Sequence, residues 1–227
     1  EWKPMPSWSV QTGLRLMGYG HFGPFDRYIY DNNSFPIDTL HYKHGERLAA
    51  YFRAEPRIAC SWQLAPEHTI KASATRQYQP VSMVPVATAT LPLDLWIPST
   101  ALMPPQSATS LSLGWFFDPN RDGIEAYVDG FFRWMDHQVE FSENLTLLGL
   151  VKDNIDRQVT QGTGTAHGIE FFIRKKTGRT QGWIGYTWSQ VWLTFPEINN
   201  GKRFHPRYDR THDFNLMITH TFGSRWE

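Results

Sequence analysis

The chain has a single cysteine, no long apolar run and no net charge, and each shortage removes a class of protein. Cys60 has no partner for an internal disulfide, and one thiolate cannot build a cysteine-based zinc site. Lysine plus arginine number 22 and aspartate plus glutamate number 22 among 227 residues, so net charge points to neither nucleic acid nor an anionic surface. Lys175-Lys176 is a local basic pair of the kind that usually marks a solvated turn. No stretch of ~18 apolar residues occurs, which excludes a transmembrane helix. Glu1-Trp2-Lys3-Pro4 lacks the basic segment and apolar core that open a secretory signal. The sequence therefore reads as mature, trimmed or an excerpt.

Aromatic residues, by contrast, are plentiful at 15%, with 10 tryptophans. An indole is half apolar and half polar, which suits a membrane–water interface. Without a membrane-crossing helix, a membrane protein of this composition must be a β-barrel.

Alternation supports that architecture. Trp8, Val10, Thr12, Leu14 and Leu16 interleave with Ser9, Gln11, Gly13 and Arg15. Ala54, Pro56, Ile58, Cys60, Trp62 and Leu64 interleave with Glu55, Arg57, Ala59, Ser61 and Gln63. Pro56 removes a ladder donor, so an edge or bulge is expected there. The same two-residue period returns at Ile70–Thr75, Ser110–Phe117, Ile124–Trp134, Ile169–Arg174 and Phe214–Phe222. In the strand from Gln181, Trp183 competes with Ile184, Tyr186 and Trp188, and the faces stay unassigned.

Two regularities fix the class. Connections alternate between long and short, with long ones at roughly 20–46, 79–106 and 140–164. Outer-membrane barrels do this because periplasmic turns are tight and external loops extended, whereas a β-sandwich has no reason to. In addition, Arg15, Glu55, Arg57, Lys71, Glu125, Asp129, Arg133, Glu170 and Arg174 all fall opposite the apolar face. An Arg or Lys on the lipid face costs roughly 2–4 kcal/mol at mid-bilayer, so these charges are expected to face the lumen. A soluble antiparallel sheet with one wet face alternates in the same way and is the bland alternative. Trp8, Trp62, Trp183 and Trp226 fall at the short-turn ends, as an interfacial girdle would. About eight strands of ~11 residues, at ~3.3 Å rise and ~40° tilt, each cover roughly 28 Å of membrane normal.

Several motifs then go beyond the pattern. Leu91-Pro92-x-Asp94-Leu95-Trp96-x-Pro98, Pro105-Gln106 and Gly168-Ile169-Glu170-Phe171 occur in that order. Gly182-Trp183-x-Gly185-Tyr186-Thr187-x-Ser189, Asn199-Asn200-Gly201 and Pro206-Arg207-Tyr208-Asp209 follow. This series, which covers nearly the whole chain, resembles the barrel of TonB-dependent outer-membrane receptors. The resemblance implies an all-β, antiparallel transmembrane barrel of about 22 strands around a plug. On that basis residues 1–227 are a partial barrel domain, an interior slice without plug or TonB-binding segment, beginning and ending near periplasmic turns.

The implied function is energy-coupled uptake of a scarce ligand (an iron chelate, cobalamin or a glycan) across the outer membrane of a Gram-negative cell. The implied partners are the TonB complex through segments outside this chain, the receptor's own plug, the lipid bilayer and, as a candidate, a surface lipoprotein; no nucleic-acid partner and no cofactor are expected. Tyr28, Tyr30, Tyr78, Trp96 and Trp192 are the aromatics expected near the external mouth, where they would contact ligand. The alternative is a complete, small, eight-stranded barrel acting as anchor or adhesin, its interior filled by side chains.

Other motifs carry less. Asp118-x-Asn120-x-Asp122-Gly123 matches the opening of a calcium loop, but its twelfth position, Asp129, belongs to a strand, so a hairpin turn is expected. His41-x-x-His44 has metal-ligand spacing but sits in a polar loop, where solvated histidines are the simpler reading. His205, His212, Asp209, Asp213 and Ser189 approach one rim. No nucleophile elbow or His-Glu-x-x-His accompanies them, so the chain is not expected to be an enzyme. Asp209, Arg210 and Asp213 are expected to pair with charges at the loop base. Asn144-Leu145-Thr146 fits a glycosylation acceptor but requires a secretory host.

Overall fold

The computed structural model describes residues 1–30, 36–85, 94–119, 123–142 and 158–223. A nine-stranded sheet dominates it. In spatial order its strands are β1 (Trp2–Met5), β2 (Trp8–Phe22), β5 (Arg47–Ala65), β6 (His68–Gln79), β9 (Gln106–Phe117), β10 (Ile124–Phe141), β11 (Val159–Lys175), β12 (Thr180–Thr194) and β13 (His212–His220). Each pairs antiparallel with its neighbours. The order starts at β1 and ends at β13, so the sheet is open: a stretch of barrel wall, not the closed eight-stranded barrel of the alternative. Two hairpins continue the long connections beyond the sheet: β3 (Phe25–Tyr30) with β4 (Pro36–Tyr42), and β7 (Val81–Pro85) with β8 (Asp94–Pro98). The strand ends joined by the short connections 6–7, 66–67, 118–123 and 176–179 lie at one end, and those joined by the long connections lie at the other.

The strand period places side chains on two faces, and the register carries those faces across the sheet. Thr12, Ile58 and Ala74 lie opposite one another, as do Ile70, Trp115, Val128, Phe171 and Tyr186. This is the apolar face. Leu14, Leu113 and Ile218 on it are 65%, 62% and 64% exposed, so the described residues put no second layer over it. A soluble sheet would bury that surface; a barrel wall offers it to lipid.

The same register sets Arg15 opposite Glu55, Asp129 opposite Glu170 and Glu125 opposite Arg174 on the polar face. It also assigns β12: Ile184, Tyr186 and Trp188 lie on the apolar face, and Trp183, opposite Arg174 and Met217, on the polar one. Trp183 therefore does not belong to an outer girdle. Trp8 and Trp62 do, stacking at 5.1 Å between centroids near the short turns, whereas Trp226 is outside the described residues.

Two further points differ in detail from the sequence pattern. β5 is central in the sheet, yet its ladder to β6 ends at Arg57↔Thr75, so Pro56 sits where the strand loses one neighbour. The tight reversal at 199–201 uses positive φ at Asn199, Asn200 and Gly201 (53°, 54° and 72°), as the Asn-Asn-Gly string requires.

Candidate functional site

The loop end of the polar face is closed by a strap. A small core of Val84, Ile97, Met103, Phe141 and Val159 pins the β7–β8 hairpin to the ends of β10 and β11. Ile97, in the Asp94-Leu95-Trp96-Ile97-Pro98 string, is 2% exposed, and Trp96 beside it is 65% exposed. The segment 99–104 then crosses the polar face. Tyr19 Oη donates to the Ser99 carbonyl (3.2 Å) and Tyr51 Oη to the Thr100 carbonyl (2.6 Å). On the far side Gln161 Nε2 donates to the Pro104 carbonyl (3.0 Å). The strap thus ties β2 and β5 to β11.

On the polar face at this loop end lies a hollow of about 390 Å³. Arg15, Glu55, Gln77, Gln106, Arg133 and Gln138 line it. Glu55 is 5% exposed because two groups hold it: Arg15 Nε at 3.3 Å and the Tyr78 backbone N–H at 2.7 Å. That N–H has left the β5–β6 ladder and would otherwise be unsatisfied. Arg133 Nε donates to Ser110 Oγ (3.0 Å). Amides, fixed guanidiniums and one held carboxylate can hydrogen-bond a polar solute from several directions, but they supply no nucleophile. Glu55→Ala is expected to cost about 1–3 kcal/mol, since it leaves a donor unpaired, while Glu55→Gln keeps an acceptor and costs less. Detergent unfolding with amide exchange at Tyr78 checks this; equal losses would refute the acceptor role.

Nearer the short turns the polar face carries an aromatic row. Phe116, Tyr127, Phe172 and Trp183 stack from β9 to β12 at 5.4, 5.1 and 6.0 Å. Lys71 Nζ lies 4.2 Å from the Phe116 ring centroid, and Tyr127 Oη donates to Glu170 (2.5 Å). Glu125 takes both Arg174 (3.0 Å) and Lys176.

The aromatics expected at the mouth all stand toward the long-connection end, on separate pieces. Tyr28 lies on β3 opposite Thr39, Trp96 on β8 opposite Met83, and Trp192 near the end of β12. The Trp192 ring is engaged by Arg203 at 4.4 Å and His205 at 3.6 Å. Tyr30 pairs through its backbone with Pro36, and its side chain is outside the described residues. Tyr78 joins a second cluster, with the guanidiniums of Arg76 and Arg53 at 5.3 and 5.9 Å from its ring. Tyr19, Tyr51 and Arg53 were missed, although Tyr51 and Arg53 continue the parity of Glu55 and Arg57.

The other candidates dissolve into local bonding. Ser189 Oγ donates to the Arg210 carbonyl (3.3 Å), while His212 Nδ1 meets Tyr186 Oη (2.8 Å), so no serine–histidine pair forms. Asp209 does meet a basic group, His205 at 2.7 Å, and accepts the Val191 N–H; Asp213 accepts Asn215 Nδ2 (3.2 Å) rather than a cation. His41 Nδ1 lies 2.7 Å from Asp26 Oδ1. Among the described residues no group of three or more ligating side chains could hold a metal. Asn120, Asp122 and 144–146 are outside the described residues.

An open antiparallel meander, apolar on one face and charged on the other, with its short strand-to-strand connections at one end and its long ones at the other, is the wall of a transmembrane β-barrel. The model of the family described as TonB dependent receptor-like, beta-barrel matches residues 1–227, and the chain belongs to that family. No curated protein matches it. Among solved structures, the FrpB iron transporter from Neisseria meningitidis (F3-3 variant) superposes with a TM-score of 0.61 at 12% identity, over 97% of this chain and 29% of that one. The ferric-catecholate import receptor Fiu from K12 E. coli, closed form, gives 0.60 at 14% identity, over 98% and 31%. At such identities the likeness is one of fold, and the chain spans about three tenths of those proteins' length.

Proposed function

We propose that this chain is part of the wall of an outer-membrane importer that takes up a scarce ligand by energy coupled through TonB. The family match along the whole chain, on a sheet with one lipid-ready and one charged face, carries this proposal. In it Arg15, Glu55, Arg57, Lys71, Glu125, Asp129, Arg133, Glu170 and Arg174 face the lumen, where a plug domain packs. The long connections are external, and Tyr28, Tyr30, Tyr78, Trp96 and Trp192 lie around the mouth, with a surface lipoprotein as a further candidate partner there.

Along their strands Arg53, Glu55, Arg57 and Arg133 sit toward the loops, whereas Lys71, Glu125, Asp129, Glu170 and Arg174 sit toward the short turns. A solute entering beneath the strap meets the guanidiniums, the glutamine amides and the arginine-held Glu55 first. Cells carrying the full-length receptor should accumulate one member of a panel of iron chelates, cobalamin and oligosaccharides. Deleting TonB should abolish that accumulation. Uptake unchanged without TonB would overturn the proposal.

A further inference from the structure

β11 ends at Lys175 and the turn to β12 carries Lys176 and Arg179, of which Lys176 is taken by Glu125. Lys175 and Arg179 have no acidic partner among the described residues. Beside this turn the apolar face has a notch of about 200 Å³ lined by Lys175, Gly182, Ile173, Ile184, Leu216 and Ile218. Its origin is Gly182, which lies opposite Lys175 on one side and Ile218 on the other. A Cβ there would collide with the Met217 carbonyl oxygen, so the site has no side chain to fill the gap. The walls are aliphatic, and a cation stands at the rim, at the depth where the strand leaves the membrane.

We infer that this notch holds one acyl chain of an anionic phospholipid, whose phosphate is bound by Lys175 and Arg179. The inference rests on the proposal that the apolar face meets lipid and that the short turns lie at the periplasmic surface. Charge complementarity selects the occupant: an acyl chain alone would need no cation, and a soluble anion would need no aliphatic cleft. The depth agrees as well, because a basic residue attracts an anionic headgroup only near the membrane surface.

The test uses the full-length receptor in detergent, with phosphatidylglycerol or phosphatidylcholine of identical acyl chains added, and counts retained lipid by native mass spectrometry. Wild type should retain one phosphatidylglycerol in preference to phosphatidylcholine. Lys175→Gln/Arg179→Gln should weaken that retention by about fivefold for each charge removed. Lys43→Gln/Lys202→Gln, at the opposite end, should leave it unchanged. Ile218→Trp keeps the cations but fills the cleft and should reduce retention of both lipids. Equal retention of the two lipids by wild type, or undiminished phosphatidylglycerol in either site variant, would overturn the inference. A heat-modifiable band is recorded first for every protein. Its absence in wild type would count against the barrel, whereas a normal band without selectivity would count against the notch alone.

Discussion

Val128→Arg in the full-length receptor should remove most of the assembled, heat-modifiable barrel, whereas Thr187→Arg should leave it nearly intact. Val128 lies on the apolar face between Trp115 and Phe171. A guanidinium there replaces an aliphatic contact with lipid by a charge in hydrocarbon, at a cost of about 2–4 kcal/mol. Thr187 lies on the other face, directly between Glu170 and Asp213. An arginine at that site would stand between carboxylates and change stability by less than about 1 kcal/mol. The two positions are on adjacent parts of one sheet and receive the same residue, so bulk and propensity cancel in the comparison. Equal losses of folded barrel would mean that the two faces do not meet different solvents, and a larger loss for Thr187→Arg would mean that they have been assigned the wrong way round.

The faces were legible because lipid and water act on alternate residues of every strand. Where both solvents press, as from Leu111 to Trp115, the period is clean, and the paired strands confirm it. Beyond the hydrocarbon neither face has to be apolar, yet the ladder continues. Strands therefore run on past the pattern, to Phe22 in β2, Phe141 in β10 and Thr194 in β12. For the same reason β1 and the two outlying hairpins read as plain connection. Trp183 resisted assignment because an aromatic near a rim suits either face, and only the Arg174 register settles it. The strap was invisible for a different reason. Its anchors are hydrogen bonds from Tyr19 and Tyr51 to carbonyls some 80 and 49 residues away, and no local pattern records such contacts. Arg53 was within reach, since it keeps the parity of Glu55.

The largest effect is expected from isolating the chain. Expressed and refolded alone, residues 1–227 should give no discrete heat-modifiable monomer in detergent and should neither bind nor import ligand. The reason is the open order of the sheet, with β1 at one margin and β13 at the other. β13 spans His212–His220, and among the described residues its ladder is with β12 alone. The groups directed away from β12 have no partner on the sheet, and hydrocarbon offers none, at several kcal/mol for each unsatisfied group. An edge with Phe214, Leu216 and Ile218 exposed invites pairing with other chains, so aggregates are the expected product. Supplying the remaining strands in the full-length receptor should restore a sharp band, because the same edges are then continuous with neighbours. A compact, protease-resistant monomer from the 227-residue chain alone would require β1 and β13 to close on each other. That result would return the small-barrel alternative and end the reading of this sheet as one arc of a larger wall.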